Sequence, residues 1–197
     1  MKLSIKQNIL MEHLNYVIKG ISNKNLIPIL NCIKFELTNE GLYLMSTDNE
    51  IAIKTFIDKK NIEEIKETGE LVVSGKLFYE IIRKLPDNNI TIETDSNYKT
   101  VITCEKAQFT IIGKSGEDFS YLPVIEKTTP VILSQFTLKE AVRQTIFSIA
   151  DNDTNKLMTG ELFEINGDEL RVVSLDGHRI SIRKIKMKNS YSPSKVI

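Results

Sequence analysis

Ser174-Leu175-Asp176-Gly177-His178-Arg179-Ile180 decides the fold, because an Asp-Gly pair there separates two apolar, alternating runs, residues 170–173 before it and 180–185 after it. Such a pair between alternating runs signals a tight hairpin, and a type I′ turn at its tip needs φ > 0 at both central residues. The stretch also has an earlier echo. Phe35, Glu36, Leu42, Ser46 and Asp48 match Phe163, Glu164, Leu170, Ser174 and Asp176, identical residues at one constant offset along the chain. At the same offset Gln7, Leu10, Glu12, Ile18 and Ile21 recur as Gln135, Leu138, Glu140, Ile146 and Ile149, so the repeated unit includes what precedes the strands as well.

Working outward, residues 1–5 alternate as a strand and lead into Ile9, Leu10, Leu14, Val17, Ile18 and Ile21, spaced as one face of a helix. Pro28 opens a strand over 29–37, Asn39-Glu40-Gly41 turns it, and strands over 42–46 and 51–57 follow. After a charged segment, 58–70, the pattern starts again. Leu71-Val72-Val73 is the strand and Ser74 the N-cap; Leu77, Phe78, Ile81, Ile82 and Leu85 form the apolar stripe of a helix that Pro86 stops. Strands over 90–94, 100–104 and 108–112 complete the second unit. Glu126-Lys127-Thr128-Thr129-Pro130 marks a boundary. Beyond it Val131-Ile132-Leu133 reads as a strand, Leu138, Ala141, Val142, Thr145, Ile146 and Ile149 as a helix face, and 160–165, 169–173 and 179–187 as strands.

The expected class is therefore α+β, built from repeated strand-helix-three-strand units. Two units fill a first domain, 1–125, and a third makes half of a second, 126–197. Val196-Ile197 reads as the first strand of a fourth unit, so the expectation is a truncated chain or a longer natural protein.

Composition narrows the function classes. The chain has 197 residues, 41% of them apolar, with 26 basic and 26 acidic side chains. Zero net charge argues against a protein that coats nucleic acid wholesale, yet allows a basic face balanced by an acidic one. The two cysteines, Cys32 and Cys104, are isolated, which predicts a reduced cytoplasmic setting, and no apolar run approaches a signal core or a membrane span. Gly113-Lys114-Ser115 has Gln108 where a phosphate loop needs glycine. Asp151, Asp153 and Asn155 start like a calcium loop, but Lys156 and Leu162 occupy its glycine and glutamate positions.

His13 and His178 lack metal-ligand spacing, so no metal and no cofactor is expected. Asp176 and His178 as an acid–base couple would make a small-molecule hydrolase, without any nucleophile-elbow serine or cysteine motif to support it. The basic residues form a clearer pattern. Lys139 and Arg143 lie four apart on the third unit's helix, Lys76, Arg83 and Lys84 lie along or at the end of the second, and Lys19 and Lys24 follow the first. On any one helix this is a solvated face; repeated on stacked units it is a surface able to track phosphates without reading bases. A repeat scaffold unconnected with DNA is the other alternative, and acidic or buried helix faces would favour it.

Pro28-Ile29-Leu30, Thr47-Asp48-Asn49-Glu50, Arg83-Lys84-Leu85-Pro86, Asp118-Phe119 with Leu122-Pro123, and above all Asp176-Gly177-His178-Arg179 resemble, in order and spacing, the bacterial sliding clamps, the beta subunits of replicative DNA polymerases. The resemblance implies a DNA clamp fold with antiparallel sheets outside and helices on an inner concave face. It implies a non-catalytic processivity factor in DNA replication, a head-to-tail homodimeric ring around duplex DNA. By the same resemblance Lys24, Lys76, Arg83, Lys84, Lys139 and Arg143 contact DNA. Met158, Leu175, Gly177, His178, Arg179 and Ile180 form part of a pocket for short linear peptides of the polymerase, the clamp loader and repair proteins. Leucine at 175, where the family often has threonine, keeps that pocket apolar. Ile81, Leu85, Phe109 and Ile111 match the first domain's half of the ring interface.

Overall fold

The structure is a computed structural model that describes residues 1–21, 27–117, 119, 130–151 and 154–197. The chain divides into two compact units, Met1–Val124 and Ile125–Ile197.

The first unit carries strands β1 (Lys2–Lys6), β2 (Cys32–Leu37), β3 (Gly41–Thr47), β4 (Ala52–Asp58), β5 (Glu64–Glu67), β6 (Gly69–Ser74), β7 (Asn89–Thr94), β8 (Lys99–Cys104) and β9 (Ala107–Ile112), with helices α1 (Gln7–Val17) and α2 (Gly75–Lys84). They form two antiparallel sheets, ordered β5-β1-β7-β8-β9 and β4-β3-β2-β6. Leu10, Leu14 and Val17 of α1 and Phe78, Ile81 and Ile82 of α2 recur at three- and four-residue spacing, which puts them on one face of each helix. Those faces are buried with Leu3, Ile5, Phe35, Leu44, Ile90 and Ile92 in one core. Phe35 and Phe78 meet edge to face, 4.8 Å between centroids, and pin α2 to the middle of the second sheet. Tyr79 donates to Asn15 across the two helices at 2.8 Å.

The second unit holds α3 (Gln135–Thr145), β10 (Leu162–Leu175) and β11 (Ile180–Val196). Ser134 caps α3 by accepting from the Thr137 amide at 3.1 Å. β10 and β11 pair antiparallel in two stretches that differ in register, Leu175↔Ile180 back to Glu169↔Lys186 and Phe163↔Val196 to Ile165↔Ser194, with the break at Gly167. Gly167 has φ +60°. Glu164 and Arg171, seven residues apart, nevertheless form an ion pair. A straight strand rising about 3.3 Å per residue would hold them more than about 20 Å apart. β10 therefore doubles back at Gly167, where glycine supplies the left-handed conformation. Its first part pairs Phe163 with Val196 as Phe35 pairs with Leu71 in the first unit.

The repeat is reproduced at the level of single hydrogen bonds. Ser46 Oγ donates to the Val17 carbonyl at 2.5 Å, and Ser174 Oγ donates to the Thr145 carbonyl at 2.5 Å. Each serine ties the strand before the turn to the end of its unit's helix. Asp48 accepts from the amides of Glu50 and Ile51, and Asp176 accepts from those of His178 and Arg179.

Several expectations need correction. The Asp176-Gly177 turn is not type I′: Gly177 has φ +84° and Asn49, its counterpart, +75°, while neither aspartate has positive φ. The loop spans four residues, Asp176–Arg179, and the aspartate side chain closes it by taking the amides that a tighter turn would pair. A Cβ at position 177 would meet nothing within 4 Å, so the glycine serves conformation and not close approach. Pro28–Asn31 is a 3₁₀ turn and the strand begins only at Cys32, proline's fixed φ and missing N–H suiting a helical first turn. The charged segment contains β5, an edge strand protected by Glu64, Lys66 and Glu67. Val131-Ile132-Leu133 lies outside any strand. Ser74 stands at the N-cap of α2 without a side-chain capping bond. Leu77, assigned to the buried stripe, is 51% exposed, and Leu138 is 38% exposed where its counterpart Leu10 is fully buried. In the first unit α1 packs beside α2; in the second unit no other α-helix is present among the described residues.

Candidate functional site

The loop between β10 and β11 puts Leu175, Gly177, His178, Arg179 and Ile180 around one open depression of about 270 Å³. The strands position it from both sides: Leu175 and Ile180 are the last register pair of the hairpin, and Ser174, buried beneath, holds the strand to α3. Ile180 is 60% exposed, an apolar surface beside cationic and imidazole groups. Asp176 shapes the rim. It accepts from two backbone amides and, through Oδ2, from Arg179 Nε at 2.8 Å. The His178 amide, burial opposing it, and then the Arg179 contacts hold the Asp176 carboxyl below the usual carboxylate range. Met158 does not line the depression; it is half-buried within the 3₁₀ turn Lys156–Thr159, its carbonyl accepting from the Ala150 amide at 2.9 Å.

The same geometry weighs against an acid–base couple. The bond between His178 and Asp176 runs from the backbone amide, and the carboxylate's second oxygen is taken by Arg179. No cluster of three or more His, Cys, Asp or Glu side chains able to hold a metal occurs among the described residues. Nor, among them, is any helix long and apolar enough to cross a membrane.

The expected DNA-contacting cations sit on two helices. Lys76, Arg83 and Lys84 are exposed on or at the end of α2, whose other face carries Phe78 and Ile82 into the core. Lys139 and Arg143 are exposed on α3, opposite Ala141 and Thr145. Lys24 lies outside the described residues. α1 differs: its exposed positions include Glu12, Asn15 and Tyr16, with the cation Lys19 just beyond its end. Sequence reasoning passed over the acidic partners. Glu80 accepts from Arg83 at 2.6 Å, and Glu140 holds Arg143 in a fork, 3.0 Å to Nε and 2.7 Å to Nη2. Both pairs are spaced i,i+3, the signal that would have found them. The Arg143 hydrogen bond, against a smaller desolvation effect, holds the Glu140 carboxyl below its ordinary range, and both guanidiniums stay protonated.

The residues expected at a ring interface separate. Ile81, Leu85 and Ile111 are buried in the first unit's core, whereas Phe109 is 40% exposed on β9, the edge strand of its sheet. Phe109 and Ile111 are two apart and share one face of β9, so strand alternation does not separate them; it accounts instead for Ile112, exposed next to buried Ile111.

Comparison with known proteins places this architecture. The family model of the DNA polymerase III beta subunit's N-terminal domain matches residues 1–123, and that of the central domain matches residues 132–197. Among curated proteins, the beta sliding clamp of Halalkalibacterium halodurans is 33% identical over 195 residues, covering 96% of this chain and 51% of that protein. That of Bacillus subtilis is 32% identical over 191 residues, covering 95% and 50%. The chain thus spans about half the length of the curated relatives it matches. Among solved structures, a DNA polymerase III beta subunit of Eubacterium rectale superposes with TM-score 0.92 at 56% identity, over 100% of this chain and 52% of that one. The Bacillus subtilis DNA polymerase sliding clamp does so with TM-score 0.91 at 32% identity, over 97% and 52%. With two antiparallel sheets and paired helices in the first unit, a repeat of the same serine and aspartate contacts in the second, and family matches along both, the chain belongs to the DNA polymerase III beta-subunit family, the beta sliding clamps.

Proposed function

We propose that this chain acts in DNA replication as part of a sliding clamp, with residues 1–125 as its first domain and residues 126–197 as half of its second. The observation that carries the reading is the disposition of charge on α2 and α3: one face of each helix is core, and the other holds exposed lysine and arginine. Such cations contact phosphates without reading base edges, so they hold a duplex loosely at any sequence. In a closed ring the attachment is topological, and loose contacts leave the ring free to slide. No step of this function needs a catalytic group. The depression at Leu175–Ile180 takes a short linear peptide of a polymerase, loader or repair protein, with apolar side chains against Leu175 and Ile180. The exposed Phe109 on the open edge of β9 supplies the first domain's contact in a head-to-tail dimer.

Salt dependence tests the nucleic-acid part. Binding of a fluorescent duplex, followed by anisotropy between low and moderate salt, should weaken linearly on logarithmic axes, with a slope of about −0.9 per phosphate neutralised. Lys76→Ala, Lys84→Ala and Lys139→Ala should each flatten that slope by up to about one unit, equally for duplexes of unrelated sequence. Slopes unchanged in all three variants would refute the assignment of these helices to DNA. For the peptide part, Ile180→Asp should abolish binding of a clamp-directed peptide while leaving the DNA slope unaltered.

A further inference from the structure

Both arginines assigned to DNA are already engaged, each by a glutamate three residues earlier on its own helix. Glu80 meets Arg83 at 2.6 Å, and Glu140 grips Arg143 through two bonds. The helices belong to different units of the chain and their sequences, Gly75–Lys84 and Gln135–Thr145, are not copies of one another, yet each pairs its arginine in the same i,i+3 geometry. On α1, Glu12 occupies the position equivalent to Glu140; its partner is the Tyr16 hydroxyl at 3.3 Å. Lys76, Lys84 and Lys139, in contrast, have no ion pair among the described residues. α2 thus combines two lysines open to solvent, and α3 one, with a single arginine held by a carboxylate.

A carboxylate and a phosphate present the same planar or near-planar pair of oxygens to a guanidinium, so they compete for the same fork of N–H donors. We propose that Glu80 and Glu140 are intramolecular competitors for DNA phosphate, which hold Arg83 and Arg143 back and keep the clamp's grip on the duplex weak enough for sliding. This inference rests on the DNA-contact reading above. The pairs are exposed, at 55% and 64% for the arginine side chains, so each is worth only about a factor of two to three in an equilibrium constant. That is the useful range: an arginine can leave its glutamate for a passing phosphate and return without a large barrier. The carboxylate left behind also repels the phosphate, which shortens the contact. An uncompensated arginine would instead form a bidentate phosphate bond at each step along the strand.

The test uses the chain as it is, with a fluorescent duplex of arbitrary sequence at low salt. Glu80→Gln and Glu140→Gln keep helix propensity and side-chain volume. Each should tighten duplex binding about two- to threefold, and the pair together about fivefold or more. The double variant should also steepen the salt slope by one to two units as two more cations engage phosphates, on the scale of about 0.9 per phosphate. Adding Arg83→Ala and Arg143→Ala to the double variant should remove the whole gain, while the same arginine changes in the unaltered chain should cost little. Glu105→Gln, in the turn between β8 and β9, should do nothing, and circular dichroism should report unchanged helix content. If Lys76→Ala weakens binding but the glutamine variants do not tighten it, or tighten it equally without the arginines, the competition is refuted and the DNA assignment stands. If neither lysine nor glutamate changes alter binding, both are refuted.

Discussion

Ser46→Ala and Ser174→Ala test whether the repeated unit is held by one repeated contact. Both hydroxyls are essentially buried, at 0% and 1% exposure, and each donates to a carbonyl at the C-terminal end of its unit's helix, Val17 in α1 and Thr145 in α3. Each carbonyl closes its α-helix and opens a short 3₁₀ turn, Ile18–Gly20 after α1 and Ile146–Ser148 after α3, so the serine adds a second donor to an oxygen with two lone pairs. Replacement by alanine removes one buried oxygen and one of the carbonyl's two donors. Loss of one buried hydrogen bond, with the acceptor still paired within its turn, costs about 1 kcal/mol. Native-state amide exchange reads the effect locally. Ser46→Ala should speed exchange of the Leu10 and Leu14 amides roughly fivefold, and Ser174→Ala should do the same for α3 amides such as Val142, in line with a change of about 1 kcal/mol. A larger residue, Ser46→Val, should be worse than alanine, because a Cβ built on Gly20 already falls 2.4 Å from the serine oxygen and the backbone there leaves no room. Acceleration below about twofold for both alanine variants would mean that the shared bond is incidental to the unit. An effect in one copy alone would mean that the two units are held by different contacts despite their matching geometry.

Gly177 gives a second prediction, since its Cβ direction is open and only its φ of +84° is demanding. Gly177→Val should destabilise the hairpin by about 1–2 kcal/mol and lower peptide affinity, whereas Gly177→Asn, copying Asn49 at φ +75°, should cost little; equal losses from both, measured by urea denaturation, would contradict the conformational explanation. The third concerns pH. His13 bonds Thr55 at 2.6 Å, and burial, opposed by Glu12, lowers its pKa below the ordinary 6.5. The folded state then binds fewer protons than the unfolded one just below that value, so stability is fully present above about pH 6.5 and declines as pH falls through the interval beneath it. His13→Gln should flatten that part of the stability–pH curve; an unchanged slope between neutral and mildly acidic pH would exclude His13 as its source.

How much of this was legible varies with the range of the interaction responsible. The repeat was legible because identical residues at a constant offset need no contact to be seen, and the matching bonds of Ser46 and Ser174, Asp48 and Asp176 are its structural counterpart. α1, α2 and α3 were legible from apolar spacing, and Pro86 from its missing N–H. Turn chemistry was harder: Asp176-Gly177 pointed to a two-residue turn, and the structure built a four-residue loop because the aspartate carboxylate satisfied the amides itself. Edge strand β5 was missed since its charged residues read as loop, although charge is what an exposed edge requires.

Local pattern therefore settled by itself which segments are helices, where most strands lie and that the chain repeats, because propensity and periodicity act over a few residues. Three matters were left to tertiary structure. The register between β10 and β11 on either side of Gly167, Phe163 with Val196 but Glu169 with Lys186, is set by pairings across the two strands. Whether Leu77, Ile81 and Phe109 are surface or core depends on what packs over them: Ile81 turned out buried and the other two exposed. And the five residues around the Leu175–Ile180 depression, neighbours in sequence on a loop that Asp176 closes locally, are seated on α3 through the bond from Ser174 to the Thr145 carbonyl, a contact that no short sequence window contains.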